Sequence, residues 1–381
     1  MFSRVLASDR VYLANHSLGR PLDAMAEDVR DATLLWETKL GDAWDAWLAE
    51  QEAFRARIAQ LINAPRVDCI VPKTSAGQGL RAVLNALPGT PRVLSTRGEF
   101  DSIDLLLKQY ASLGRIEMRW VEADAEGLFT VTGIMRHLRQ GIDLVVISQV
   151  MFMNGQAVHN LDQLAGACHS VGAKLLVDSY HAIGVFPVDV AAMRADFVLG
   201  GSYKYLRGGP GACFLYLSPE ILASGLRPLD TGWFARENTF GYERPDPPQL
   251  RAGGDAFLES TPPVLTYYQA RSGQQFTLAI TVERLREYGQ KQLSQLKVYL
   301  ADVGIDAMGG DAGHGAFLAV RHANASNLAK KMSESNVITD ARGEWLRLCP
   351  DCLTREEELR TAVSALHRVL QQMHPEYHQA R

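Results

Sequence analysis

The chain has 381 residues, 47% of them hydrophobic, enough to bury a large core and too many for one simple domain, so two domains are expected. Lys and Arg number 39 against 43 Asp and Glu, a near balance of −4 with no dense basic block, which argues against nucleic acid as a partner and for a small-molecule substrate. No apolar run approaches the roughly 20 residues that span a bilayer, charges interrupt the first ten residues where a signal peptide would be apolar, and five cysteines make no disulfide framework; a cytoplasmic protein away from the membrane is expected.

In chain order, Asn15-His16-Ser17-Leu18-Gly19 is followed by a helical pattern over Val29–Leu61 and a short apolar strand, Val67–Val71. Pro72-Lys73-Thr74-Ser75-Ala76-Gly77 then leads into a helix through Leu80, Val83, Leu84 and Leu87. Free N–H groups at that helix start, with the hydroxyls of Thr74 and Ser75, can bind a dianion, although Ser and Thr also cap helices that bind nothing. There is no Walker-type Gly-x-x-x-x-Gly-Lys-Ser/Thr, which argues against a nucleotide phosphate.

Strands at Arg92–Ser95, Arg115–Val121, Asp143–Ser148, Lys174–Val177, Asp196–Leu199 and Ala212–Leu217 alternate with helices such as Ile103–Leu113 and Leu161–Val171. That order predicts an α/β fold with a mostly parallel sheet covered on both faces. Residues 241–254, rich in Pro, Gly and charge, read as an exposed loop, and Pro262-Pro263 as a boundary. A long helical pattern, Tyr267–Leu300, leads to a strand-like Ala316–Arg321 and a smaller C-terminal α/β unit. The expected division is an arm (1–20) associated with the small domain, a large domain (21–260) and a small domain (261–381).

The chemistry is carried by Gly200-Gly201-Ser202-Tyr203-Lys204-Tyr205-Leu206 and by Asp178 and His181 at the end of the preceding strand. Parallel strands place their carboxyl ends on one rim, so Asp178 and Lys204 are delivered together. An amine for a Schiff base, a carboxylate to hold a pyridine nitrogen's proton and a phosphate cradle are the three requirements of pyridoxal phosphate. Taken singly, Lys204 reads as a solvated surface charge and Asp178 as a turn residue.

These stretches resemble the kynureninases, in the class V aminotransferase group of pyridoxal phosphate enzymes of fold type I. The resemblance runs from Ser17-Leu18-Gly19 to Arg347, and is most specific at Asp178-Ser179-Tyr180-His181-Ala182-Ile183-Gly184 and Ser202-Tyr203-Lys204-Tyr205-Leu206. Gly232-Trp233-Phe234, Pro262-Pro263 and Asp340-x-Arg342 followed by Arg347 are similar to further family signatures. It implies that Lys204 carries the cofactor, Asp178 meets the pyridinium nitrogen, His181 supports that side of the ring and Phe100 stacks on its face. It also implies that Thr74 and Ser75 form the phosphate loop, that Ser202 is among the cofactor-binding residues and that Tyr203 and Trp233 are neighbours of the phosphate or Schiff base. Thr261 would reach the phosphate of a neighbouring subunit, making a homodimer with active sites at the interface, and Arg347 would grip the substrate α-carboxylate. His16 is an extra residue within the family's Asn-Ser-Leu-Gly, and Thr261 stands where many members have Asn.

The activity implied is hydrolytic cleavage of the β,γ carbon–carbon bond of L-kynurenine or its 3-hydroxy form in tryptophan catabolism, with Lys204, Tyr203 and Asp178 as catalytic residues and no metal. Other readings are a different class V reaction, transamination or β-elimination on another amino acid, a cofactor-binding protein without turnover, and a redox protein using Cys349-Pro350-Asp351-Cys352. The last motif lacks the second pair a structural zinc site needs.

Overall fold

A computed structural model describes residues 1–373. A short strand β1 (Val11–Tyr12) comes first, and seven apolar runs then build the main sheet: β2 (Ile70–Lys73), β3 (Arg92–Thr96), β4 (Glu117–Val121), β5 (Leu144–Ser148), β6 (Lys174–Asp178), β7 (Phe197–Gly201) and β8 (Cys213–Leu217). Their order is β2-β8-β7-β6-β5-β3-β4. Neighbours from β4 across to β7 run parallel, while β8 is antiparallel to both β7 and β2. This is the α/β, mostly parallel sheet of fold type I.

Every residue of β5, β7 and β8 is buried, as expected of strands covered on both faces. Val145, Ile147, Leu175, Val177 and Val198 point into one core with Phe54, Ile58, Leu161 and Leu164. Leu144, Val146, Leu176, Phe197 and Leu199 point into the other with Leu80, Val83, Ile103 and Leu107. The carboxyl ends of β5 and β6 meet in register, Ser148 beside Asp178, and this edge carries the site.

After the main sheet the chain forms β9 (Leu318–Arg321), β10 (Val337–Ile338), β11 (Asp340–Arg342) and β12 (Trp345–Leu348). Strands β11-β12-β9 make an antiparallel sheet. It packs with helices Val282–Asp302, Ala325–Glu334 and Glu356–Met373 around Leu293, Leu296, Leu328, Leu346 and Leu366. Strand β1 pairs in parallel with β10, and Val11 and Leu13 enter this C-terminal core, so the N-terminal arm is fastened to the C-terminal unit.

Three elements differ from the sequence reading. The helical pattern 29–61 is two helices, Ala24–Lys39 and Trp44–Leu61, separated by a 3-10 turn at Leu40–Ala43 that begins with Leu40 at φ 46. The break turns Trp47 back so that its Nε1 donates to Ala32 O at 3.2 Å. The pattern 267–300 is likewise two helices, Val264–Ile280 and Val282–Asp302, parted at Thr281 (φ 74), which caps the second. The first of these packs on the large unit through Tyr267 and Ala270, and Val282 still lies in that core, while Leu293, Leu296 and Leu300 of the second helix enter the smaller one. Val67–Cys69 is a 3-10 turn, its Asp68 held by both ends of the Arg66 guanidinium, and the strand runs on to Lys73.

Candidate active site

Lys204 lies in a tight turn directly after β7. The Ser202 N–H donates to Ala212 O at 2.9 Å, the Gly208 N–H to Ser202 O at 2.7 Å and the Arg207 N–H to Lys204 O at 3.1 Å. The N-terminal arm crosses this turn, the Gly19 N–H donating to Tyr203 O at 2.8 Å. Gly19 is required there, since a Cβ would collide with Lys204 O.

The Lys204 side chain is 5% exposed. Its Nζ stands 5.5 Å from the Phe100 ring centroid, 5.7 Å from Tyr180 and 5.4 Å from Tyr203, and 2.7 Å from His181 Nε2. Burial pushes its pKa down to about 7; Asp178 opposes this and the Arg347 and Arg342 guanidiniums reinforce it. An amine with that pKa has a substantial unprotonated fraction at neutrality, unlike an ordinary lysine. His181, whose Nδ1 is 3.3 Å from Tyr205 OH, is held neutral by burial and then by the charges of Lys204 and Arg347.

Asp178 ends β6 and is buried, its Oδ1 accepting the Tyr180 N–H at 2.9 Å. Burial raises its pKa, countered by that N–H and by Lys204. A second acid not expected from sequence, Glu99, lies beside it. Its two oxygens accept from Thr96 Oγ1 at 2.5 Å and Ser148 Oγ at 2.6 Å. Burial lifts its pKa to about 7, and Asp178 adds to the shift.

Thr74 and Ser75 precede helix Ala76–Ala86 and are exposed, with the Ser75 hydroxyl capping the Gln78 N–H at 3.1 Å. Gln78 Oε1 receives both the Thr74 N–H (2.7 Å) and its hydroxyl (3.0 Å), so these donors already converge on one acceptor oxygen. The helix start adds backbone donors and a positive dipole end. Beneath it Lys73 is buried and paired with Glu259 Oε1 at 2.6 Å.

The opposite wall comes from the C-terminal sheet. Arg347 on β12 faces Asp340 on β11 in register, with Nη2 2.9 Å from Oδ1. Its Nη1 donates to Phe152 O at 2.5 Å, and the Phe152 ring meets Phe100 edge-on at 5.5 Å. Burial pushes the Arg347 pKa down against the pull of Asp340. His16, 1% exposed, is also in this wall, its ring 5.0 Å from Phe317.

The structure thus gathers Lys204, Tyr203, His181, Asp178, Phe100 and Arg347. Thr74 and Ser75 sit at the helix start. It does not turn the Ser202 hydroxyl to that helix: this buried side chain accepts from Gln274 Nε2 at 3.1 Å, tying the lysine turn to helix Val264–Ile280. Trp233 and Thr261 meet each other, Nε1 to Oγ1 at 3.2 Å, with Thr261 exposed. Cys349 and Cys352 are both free and face different partners, Ala316 O at 3.0 Å and Arg207 Nη2 at 3.3 Å. No group of His, Cys, Asp and Glu among the described residues could hold a metal, and no described helix is long and apolar enough to cross a membrane.

A profile described as Aminotransferase class-V matches residues 38–344. The chain belongs to this family. Relatives include an uncharacterized aminotransferase, YcbU, of Bacillus subtilis, 26% identical over 92% of this chain and 91% of its own length, and a kynureninase of Shouchella clausii, 24% identical over 91% of this chain and 84% of its own. Among solved structures, a variant of the cystine C–S lyase C-DES with glycine covalently linked to its pyridoxal phosphate superimposes with a TM-score of 0.85 at 17% identity, covering 96% of this chain and 98% of that one. Pyridoxal phosphate is therefore the cofactor of this class V enzyme, and the residues fit it: a dry amine at Lys204, a buried acid at Asp178, an aromatic at Phe100 and convergent donors at Thr74.

Proposed function

We propose that the protein hydrolytically cleaves the β,γ carbon–carbon bond of L-kynurenine or its 3-hydroxy form, releasing anthranilate or its 3-hydroxy form and L-alanine. The observation that carries the reading is the Lys204 amine, buried 2.7 Å from His181 on the main-sheet edge and under the charge of Arg347 from the opposite wall. Support for the substrate comes from the kynureninase relatives.

When bound, pyridoxal phosphate supplies a sink for the electrons released at the substrate α-carbon. Asp178 would accept the N–H of the protonated pyridine nitrogen as a carboxylate, and the basicity it gains from burial would strengthen that hydrogen bond. Arg347 offers a planar fork that meets the α-carboxylate with two parallel hydrogen bonds. Lys204 Nζ, with its pKa near 7, takes the α-proton. Phe100, Phe152 and Tyr180 exclude water from this side of the ring, which strengthens every charge interaction there. The Tyr203 phenol, its pKa raised by burial, keeps its proton across the neutral range and serves as the relay to the departing carbon.

A homodimer completes the reading, with the exposed Thr261 of one copy reaching the phosphate side of the other. Transamination or elimination on another amino acid is the second reading, favoured by the likeness to YcbU over nearly the full length. Incubating the holoenzyme with L-kynurenine and following anthranilate fluorescence decides between them. Steady product release with alanine in equal amount is expected; release of pyridoxamine phosphate with no aryl acid overturns the proposed cleavage.

A further inference from the structure

We infer that His16 is a second recognition group for the substrate carboxylate, standing with Arg347 and making the site select amino acids over amines that lack the acid. The inference rests on the proposed role of Arg347 as the carboxylate-binding residue.

The arm that carries His16 is pinned on both sides. Cys349 N–H donates to Leu13 O at 2.7 Å and Gly19 N–H to Tyr203 O at 2.8 Å, and Asn15 Nδ2 donates to Cys349 O at 2.8 Å. His16 therefore has a fixed position between the lysine turn and β12. Its ring leans on Phe317 at 5.0 Å, and the same Phe317 ring lies 5.6 Å from the Arg347 guanidinium and 6.0 Å from His181. Three polar side chains thus surround one aromatic ring, next to Lys204.

Among the described residues neither His16 ring nitrogen has a hydrogen-bond partner, nor does Arg347 Nε. The nearest acid oxygen, Asp340 Oδ2, is 3.7 Å from His16 Nε2, beyond hydrogen-bond range. Its other oxygen is committed to Arg347 Nη2 at 2.9 Å and Arg342 Nη1 at 3.0 Å. A buried polar group left without a partner keeps the full penalty of its lost hydration, and protein interiors rarely tolerate one without a use. Burial and the charges of Arg347, Lys204 and Arg342 hold the imidazole neutral, with one N–H to donate.

A group with several acceptor sites and a negative charge satisfies both orphan donors at once. A carboxylate does so, and the position beside Lys204 places it on the carbon next to the exchanging amine. A phosphate is better served by the converging donors of Thr74 at the helix start.

The test is a titration of the holoenzyme that needs no turnover. L-alanine and ethylamine, which differ by the carboxylate, are each added while the absorbance of the bound cofactor is followed. Wild type is expected to bind alanine the more tightly. His16→Phe, which keeps a ring against Phe317, should raise the alanine Kd at least about tenfold and leave that of ethylamine unchanged; His16→Asn, which keeps a donor, should restore part of the loss. If phenylalanine prevents folding, His16→Leu carries the same expectation. An unchanged alanine Kd, an equal loss for both ligands, or equal wild-type affinity for the two overturns the inference. Failure of the enzyme to release anthranilate from kynurenine overturns the proposed reaction alone, because the alanine titration does not depend on it.

Discussion

The two walls of the site are built differently. On the carboxyl edge of the main sheet the buried amine and the two buried acids already have protein partners: Lys204 meets His181, Asp178 takes the Tyr180 N–H, and Glu99 accepts from Thr96 and Ser148. On the wall formed by β11, β12 and the N-terminal arm, Arg347 Nε and both His16 nitrogens have none among the described residues. The first wall is a preorganised holder for one fixed cofactor, whose demands do not change. In the proposed reading the second is completed by its ligand, which makes it the wall that sets substrate choice.

The contrast breaks most visibly at Lys204. Replacing it with alanine should lower kynurenine turnover by at least about 10³-fold, while thermal stability holds or rises because a buried amine is removed. A modest loss of rate would mean that the first wall does not carry the proton transfer. Arg347→Gln should cost about 100-fold in kcat/KM, most of it in KM, with the cofactor absorbance intact. Loss of cofactor from this variant would erase the division of labour between the walls.

Glu99 sharpens the comparison through pH. Its pKa is about 7 in the folded chain against 4.5 for an ordinary glutamate, so between these values the folded state holds a proton that the unfolded state has released. Stability should therefore fall as pH rises from about 4.5 to 7, by about 3 kcal/mol at most. Thermal melts of Glu99→Gln across that window should lose this part of the decline, and an unchanged slope would show that Glu99 is ionised in both states. The smallest effect belongs to Cys352→Ser, which leaves both walls untouched and should keep turnover within about twofold of wild type. Abolished activity in this variant alongside an active Lys204→Ala would instead restore the redox reading of the Cys-x-x-Cys stretch.

Much of the first wall was legible in the chain because its residues stand at strand ends. An apolar run stopping at Asp178 and another stopping before Ser202-Tyr203-Lys204 announce a common rim by local pattern alone. The second wall has no local signal. His16 and Arg347 are neighbours because β1 pairs with β10 and Ala14 bridges to Cys349, a contact between chain ends that periodicity does not reveal. His16 therefore read as an insertion in Asn-Ser-Leu-Gly. Glu99 carries no local signal either: it is buried because Thr96 and Ser148, from two neighbouring strands of the sheet, both donate to it. The helix breaks at Leu40 and Thr281 were hidden for another reason: both residues take positive φ without being glycine, and only the packing around them requires it.

The central claim is that the dry amine of Lys204 is the group that bonds the cofactor. Borohydride reduction of the holoenzyme followed by peptide mass mapping tests it. The account predicts one pyridoxyl mass increment on the peptide containing Lys204. A label on Lys73, the other buried lysine near the phosphate side and already paired with Glu259, or no label at all, would contradict it.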